Sequence, residues 1–490
     1  MRGVRWDYSI LLIITGAVLF MLEASGCAKH PQPTGGLIQL KACRVTGVDE
    51  ELLCGKLTVF ENRETRSGRT IDLNIVVLPA FDQKNKAEPL FDLAGGPGEA
   101  ATGAADFYAA PGKEYRRRHD VVLVDERGTG QSNRLSIPQD KTPQHYLTEM
   151  YPVDYVREMR HALEQRADLT KYTTCIAVDD LDAVRAWLGY DKINLFGLSY
   201  GTRAVLVYMR RHPNHVRSAI LMGVAPIDLK MPLHHSESAA RAMDFLLGEC
   251  EQDASCHAAF PRIRDDWKNV LAQLEKQPAH VEYSPPGKTA HTTVEIQRDI
   301  FAEKIRTWMY DREKSATIPS IIHHAAHGDF APFLKQAIAP SIPDFLADGM
   351  YLSVTCAEDV PFINQAEAAA LNANNPFRNY RVFQQTRACG MWPRGEIPPD
   401  FLEPVRSNAP VLIFSGNMDP VTPPRYGEEV AKYLPNSRHV IIPEAGHGPF
   451  GLSDPGCIDR IAIEFLDKGD AKNLDVSCVA RMARPPFATK

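Results

Sequence analysis

K-I-N-L-F-G-L-S-Y-G, residues Lys192 to Gly201, decides how the rest of the chain is read. Ile193 to Phe196 is a short apolar run of strand type, and Gly197 and Gly201 flank Ser199. The stretch from about Thr202 to Arg211 is helix-forming and is stopped by Pro213. A G-x-S-x-G serine with a strand before it and a helix after it is a nucleophile elbow. Its glycines let strand and helix pack closely, while the serine backbone is held in a strained turn that pushes the hydroxyl out at the sheet edge. The start of the helix, at Tyr200, adds unpaired N–H groups and a positive dipole end, which suit an oxyanion.

Outward from this stretch, short buried strands alternate with helices. Leu57 to Phe60 and Ile71 to Leu78 are predicted to form an opening hairpin around the polar run Glu61 to Arg69. Leu90 to Leu93 leads into A-G-G-P-G, Ala94 to Gly98, where the N–H groups of Gly95 and Gly96 are candidates for the second oxyanion donor. Val121 to Val124 ends in D-E-R-G-T-G-Q-S, whose Asp125 and Arg127 read as loop scaffold; the preceding Arg116 to Arg118 read as a solvated loop. A helix capped by Thr173 or Thr174 runs to Leu188, and Val216 to Val224 is the next strand. This order predicts an α/β protein with a mostly parallel sheet, flanking helices and right-handed crossovers.

From Pro226 to Val405 the rhythm gives way to helix-rich sequence with scattered prolines and no repeated short buried strand, which predicts a large helical cap inserted between sheet strands. Sheet rhythm resumes at Val411 to Phe414, with a helix near Arg425 to Leu434, a strand at His439 to Ile442 and a final helix near Ile458 to Phe465. The expected organisation is residues 28–36 linker, 37–225 first part of the core, 226–405 cap and 406–490 second part of the core.

A serine hydroxyl is a weak nucleophile unless a base takes its proton and an acid orients that base. The strand Val411 to Phe414 ends in S-G-N-M-D-P, which puts Asp419 just beyond the sheet edge, and the last strand ends in P-E-A-G-H-G, which does the same for His447. The order Ser199, Asp419, His447 is that of the α/β-hydrolase fold. Glu444 is the alternative acid, poorly placed because it shares the histidine's loop. The histidines at 323, 324 and 327 offer two imidazoles on one helical face, but the sequence supplies no third ligand, and neither a metal nor an organic cofactor is expected.

A net charge of -6 gives no basic field for nucleic acid. Arg2 and Arg5 precede an apolar run from about Ile10 to Leu22 and then A-S-G-C, so residues 1–27 read as a signal peptide with a lipobox-like end, Cys27 being the residue to be lipidated. Attachment to the bacterial cell envelope through that lipid is expected, with plain secretion or an uncleaved anchor as the alternatives. Ten cysteines agree with an oxidising compartment. Cys43 with Cys54, Cys250 with Cys256 and Cys457 with Cys478 are close pairs, Cys356 and Cys389 are available for a fourth bridge, and Cys175 is then left free.

Together, A-G-G-P-G, D-E-R-G-T-G-Q-S, G-L-S-Y-G-T, G-N-M-D-P-V-T-P and G-H-G resemble the proline iminopeptidase and tripeptidyl aminopeptidase branch of the α/β-hydrolases; S-V-T-C-A-E-D, Ser353 to Asp359, and the paired cysteines resemble its secreted tripeptidyl type. The resemblance implies a serine exopeptidase acting on peptides with a free N-terminus. Ala94 stands where that branch usually has histidine. A peptide α-ammonium requires a carboxylate, and Glu358 and Asp359 are the expected substrate-binding pair. The other readings of the same triad are an esterase or lipase-like enzyme and a catalytically silent binding protein.

Overall fold

The computed structural model describes residues 39–139, 142–284, 291–339 and 345–489. The expected signal segment, Cys27 and the linker therefore lie outside the described residues. The strands are β1 (Lys41–Cys43), β2 (Leu52–Phe60), β3 (Thr70–Leu78), β4 (Leu90–Leu93), β5 (Val121–Val124), β6 (Ile193–Leu198), β7 (Val216–Met222), β8 (Ala279–Tyr283), β9 (Thr292–Ile296), β10 (Val411–Gly416) and β11 (Ser437–Ile442). Nine of them form one sheet in the order β1-β2-β3-β5-β4-β6-β7-β10-β11, while β8 and β9 pair separately. β1, β2, β3 and β5 pair antiparallel along one side, and every pair from β5 across to β11 is parallel.

Alternation along the strands assigns the two faces. Ile75, Val77, Val122, Val124, Ala219, Leu221, Val411 and Ile413 enter one core with the helices Val153–Glu164, Thr174–Trp187 and Tyr200–Arg211. Their neighbours Val76, Leu78, Val121, Leu123, Ile220, Met222, Leu412 and Phe414 enter another with the helix Gly456–Lys468. Both faces are covered, so the central strands read as continuous apolar runs.

The chain between β7 and β10 adds no strand to this sheet. Met243, Leu246, Trp267, Phe301, Trp308 and Phe333 form a separate core within it, where the rings of Phe301 and Phe333 lie 4.7 Å apart. The β8–β9 hairpin sits here and was not anticipated, because its residues are half-exposed rather than an unbroken buried run. The helix Asp348–Glu358 belongs elsewhere: Met350, Leu352, Val354 and Cys356 pack in the sheet's own core.

All four expected disulfides are formed, and Cys175 is free and buried. One expectation fails: Arg116 is buried rather than solvated, because it pairs with Glu50, donates to the Pro79 carbonyl and lies over the Phe81 ring. No described helix is long and apolar enough to cross a membrane.

Candidate active site

Ser199 joins β6 to the helix Tyr200–Arg211 with φ 58° and ψ -122°, a left-handed conformation that costs a non-glycine residue roughly 1–3 kcal/mol. Close packing fixes the turn. A Cβ on Gly197 would meet the Gly201 carbonyl at 2.5 Å, and one on Gly201 would meet the Leu93 carbonyl oxygen at 2.1 Å. Both positions of the motif thus require glycine. The Ser199 N–H donates to the Met222 carbonyl at 2.9 Å, tying the elbow to the end of β7.

The next residue, Gly223, touches the third loop: a Cβ there would lie 3.3 Å from His447 Cε1 and 3.2 Å from Thr422 Oγ1. His447 Nδ1 is 2.8 Å from Asp419 Oδ2, which identifies Nδ1 as the protonated nitrogen. Asp419 is completely buried; its Oδ1 accepts from the Val421 and Thr422 N–H groups, and Thr422 Oγ1 donates to Oδ2, each at 2.8 Å. His447 Nε2 is buried and has no partner among the described residues, leaving it free to take a proton. The chain between β7 and β10 also holds the histidine, through Tyr310. The His447 N–H donates to the Tyr310 carbonyl at 3.0 Å, and the two rings meet edge to face at 4.7 Å.

Around the serine, the Tyr200 N–H and the Gly96 N–H have no acceptor among the described residues. Gly95 differs from the expectation, since its N–H donates to Glu99 Oε2 at 3.1 Å. A Cβ on Gly95 would lie 3.0 Å from that oxygen and 3.5 Å from Ser199 Cβ, so the Glu99 carboxylate stands beside the serine. Burial raises the pKa of Glu99, opposed by the Gly95 hydrogen bond and by the nearby His447. Its second oxygen has no protein partner among the described residues.

Glu358 and Asp359 are placed otherwise than expected. Both are fully buried. Glu358 accepts from the Thr174 N–H at 2.6 Å and from Thr174 Oγ1 at 2.7 Å, while Asp359 takes a two-pronged contact from Arg203 at 2.8 and 2.9 Å and a further bond from the Met231 N–H. Asp359 thus holds the elbow helix through Arg203, Glu358 holds the start of the helix Thr174–Trp187, and their oxygens are already engaged. Glu444 faces Arg312 at 3.9 Å. Asp125 gathers Thr102, Asn74 and Gln131, and Arg127 grips Asp180, as scaffold residues would.

His323 and His327 do acquire a third neighbour, Asp266, 2.8 Å from His323 Nδ1; Asp182, His212 and His215 form a second such group, and neither adjoins Ser199 in sequence or contact. Thr422, Tyr310 and Glu99 went unnoticed in the sequence. Glu99 directly follows the glycine motif, which is a local signal; Tyr310 reaches His447 only through the fold.

A family profile described as alpha/beta hydrolase fold matches residues 93–454. The serine protease Hip1 of Mycobacterium tuberculosis is 24% identical over 527 residues, with 96% of each chain covered. The tripeptidyl aminopeptidase of Streptomyces coelicolor is 25% identical over 483 residues, covering 88% of this chain and 84% of that one. Among solved structures, the proline iminopeptidase of Mycobacterium smegmatis aligns with 85% of this chain and 99% of its own, at 17% identity and a TM-score of 0.39.

Proposed function

The chain belongs to the α/β-hydrolase family, and from that premise we propose that it is an exported serine aminopeptidase. The observation that carries the hydrolytic part is the His447–Asp419 contact at 2.8 Å, on loops that meet the Ser199 elbow at the ends of β6, β7, β10 and β11. Ser199 Oγ attacks the scissile carbonyl as His447 Nε2 takes its proton, and Asp419 steadies the resulting imidazolium. The carbonyl oxygen becomes an oxyanion that receives the Gly96 and Tyr200 N–H groups. Collapse expels the amine, protonated by His447. Water then releases the acyl group by the same steps in reverse roles.

Glu99 supports the aminopeptidase part. It is an acidic group next to Ser199 with an oxygen to spare, whereas Glu358 and Asp359 are engaged inside the protein. A bound α-ammonium would neutralise it. Left bare, its negative charge would oppose the developing oxyanion. The paired cysteines and the N-terminal pattern support export. The released unit is a prolyl or a tripeptidyl group.

The test is a panel of free and N-acetylated aminoacyl and tripeptidyl amides with short-chain esters. Free amines are expected to be preferred by roughly 10- to 150-fold in kcat/KM. Glu99→Gln should erase that preference by slowing the free substrates and speeding the acetylated ones. Equal rates on free and acetylated amides in the parent enzyme would reject the aminopeptidase.

A further inference from the structure

Behind Tyr310, which packs on His447, stands a group of charged side chains that the triad chemistry does not use. Tyr310, whose ring meets His447, has its hydroxyl 3.1 Å from Arg306 Nη1. Arg306 also donates to Glu303 through Nε at 2.9 Å and Nη2 at 2.7 Å. Arg381 reaches the same carboxylate at 3.3 Å and gives Nη2 to the Tyr351 hydroxyl at 2.8 Å. The side chains of Arg306 and Arg381 are only 3% and 11% exposed. Two guanidinium groups thus share one carboxylate, and one positive charge is left over.

Close by, where Ser236, the neighbour of His235, donates to the carbonyl of Arg378 just ahead of Arg381, are polar atoms with nothing to bind. His235 is 3% exposed, and neither of its ring nitrogens has a partner among the described residues; Arg381 Nε is buried and unpartnered as well. Burial holds His235 neutral, reinforced by Arg381, Arg306 and His447. A neutral imidazole still offers one N–H donor. A surplus buried cation beside idle donors is costly unless an anion completes it.

Position then tells which part of a substrate would bring that anion. His447 hands its proton to the departing amine, so the groups that Tyr310 links to His447 lie on the side of the departing portion. Glu99, on the glycine loop, stands beside Ser199 and suits the acyl portion. We propose that Arg381 and His235, backed by Arg306, bind a carboxylate on the leaving portion of the substrate, so that the enzyme acts on short peptides whose second fragment carries a negative charge near the scissile bond. This rests on the peptidase reading above.

The test compares alanyl-alanine, alanyl-alanine amide and alanyl-aspartate amide, which separate a terminal carboxylate from a side-chain one. Alanyl esters of 4-hydroxybenzoate and 4-hydroxybenzamide make a matching pair without a peptide bond. At least one carboxylate peptide should exceed the neutral amide by roughly 10- to 100-fold in kcat/KM, carried mainly by KM, and the charged ester should exceed the neutral one. In Arg381→Gln and in His235→Ala these ratios should fall to within about threefold. Calorimetric binding of the acid and the amide to Ser199→Ala reads the same preference without turnover, and serves if Arg381→Gln fails to fold. Equal handling of charged and neutral leaving portions by the parent enzyme, or ratios that survive both substitutions, would overturn the proposal. Loss of the free-amine preference with the carboxylate preference intact would reject only the aminopeptidase reading, and the ester pair would then carry the inference alone.

Discussion

Asp419 accepts four hydrogen bonds within its own turn and from His447, so the acid is positioned before any substrate arrives. Ser199→Ala should lower kcat by about 10³-fold or more while leaving the circular dichroism spectrum unchanged, since only the attacking oxygen is lost. Asp419→Asn should cost about 10⁴-fold, because an amide donor next to Nδ1 favours the wrong imidazole tautomer. Thr422→Val removes one neutral donor and should cost about tenfold. Glu444→Gln should be near parental, because its carboxylate faces Arg312 while Asp419 holds His447; a larger loss there than in Asp419→Asn would reverse the assignment. Ser199, Asp419 and His447 were legible because each sits in a glycine- or proline-marked turn directly after an apolar run. Thr422 lay in the quoted motif but its role depends on a contact with residue 447. Tyr310, Arg306, Arg381 and His235 carry no local signal at all, since what brings them together near Tyr310 and His447 is the folding of the chain between β7 and β10.

The helix Asp348–Glu358 falls within the span expected to be the cap, yet it packs in the sheet's own core. Its residues Gly349 to Glu358 are all buried, and a helix apolar or enclosed on every side belongs in a core. Carboxylates at the end of such a helix must be paired, so Glu358 and Asp359 were better read as internal partners than as a pocket wall. Asp359 holds the elbow helix, since Arg203 on that helix is fully buried against it, and Glu358 holds Thr174. Asp359→Asn leaves Arg203 poorly compensated and should lower the unfolding free energy by about 3–5 kcal/mol in denaturant titration. The double substitution Arg203→Met with Asp359→Leu should recover most of that loss, because it removes the buried charges together. The central strands of the large sheet, by contrast, were legible from their buried apolar runs; β1, which is three residues long and largely exposed, and the half-exposed β8 and β9 were not.

Over the whole molecule, burial dominates the carboxyl groups whose pKa is raised most. Asp92 and Glu358 are pushed up to about 7 and Glu126 to about 8. A raised folded-state pKa means the folded chain holds protons that the unfolded chain has released. The associated stability is therefore complete below about pH 4 and is lost as pH rises toward 8. The thermal midpoint of Ser199→Ala should fall between pH 5 and pH 8.5, and Glu126→Gln should flatten part of that slope; an upward slope over this interval would contradict it. Export is tested separately: Cys27→Ser should release the protein from membrane fractions, and retention would favour an uncleaved anchor.

The Cys356–Cys389 bridge joins the helix that ends in Glu358 to the helix Tyr380–Cys389, whose second residue is Arg381. Ser199, Asp419 and His447 stand on loops at strand ends that contain no cysteine. Reduction of this one bond should thus divide what the enzyme does from what it chooses. A variant with Cys356→Ser and Cys389→Ser, its other three bridges intact, would still turn over activated esters, yet would sort its substrates poorly. For this chain, a simple activity stain is no certificate of correct maturation; a selectivity ratio is.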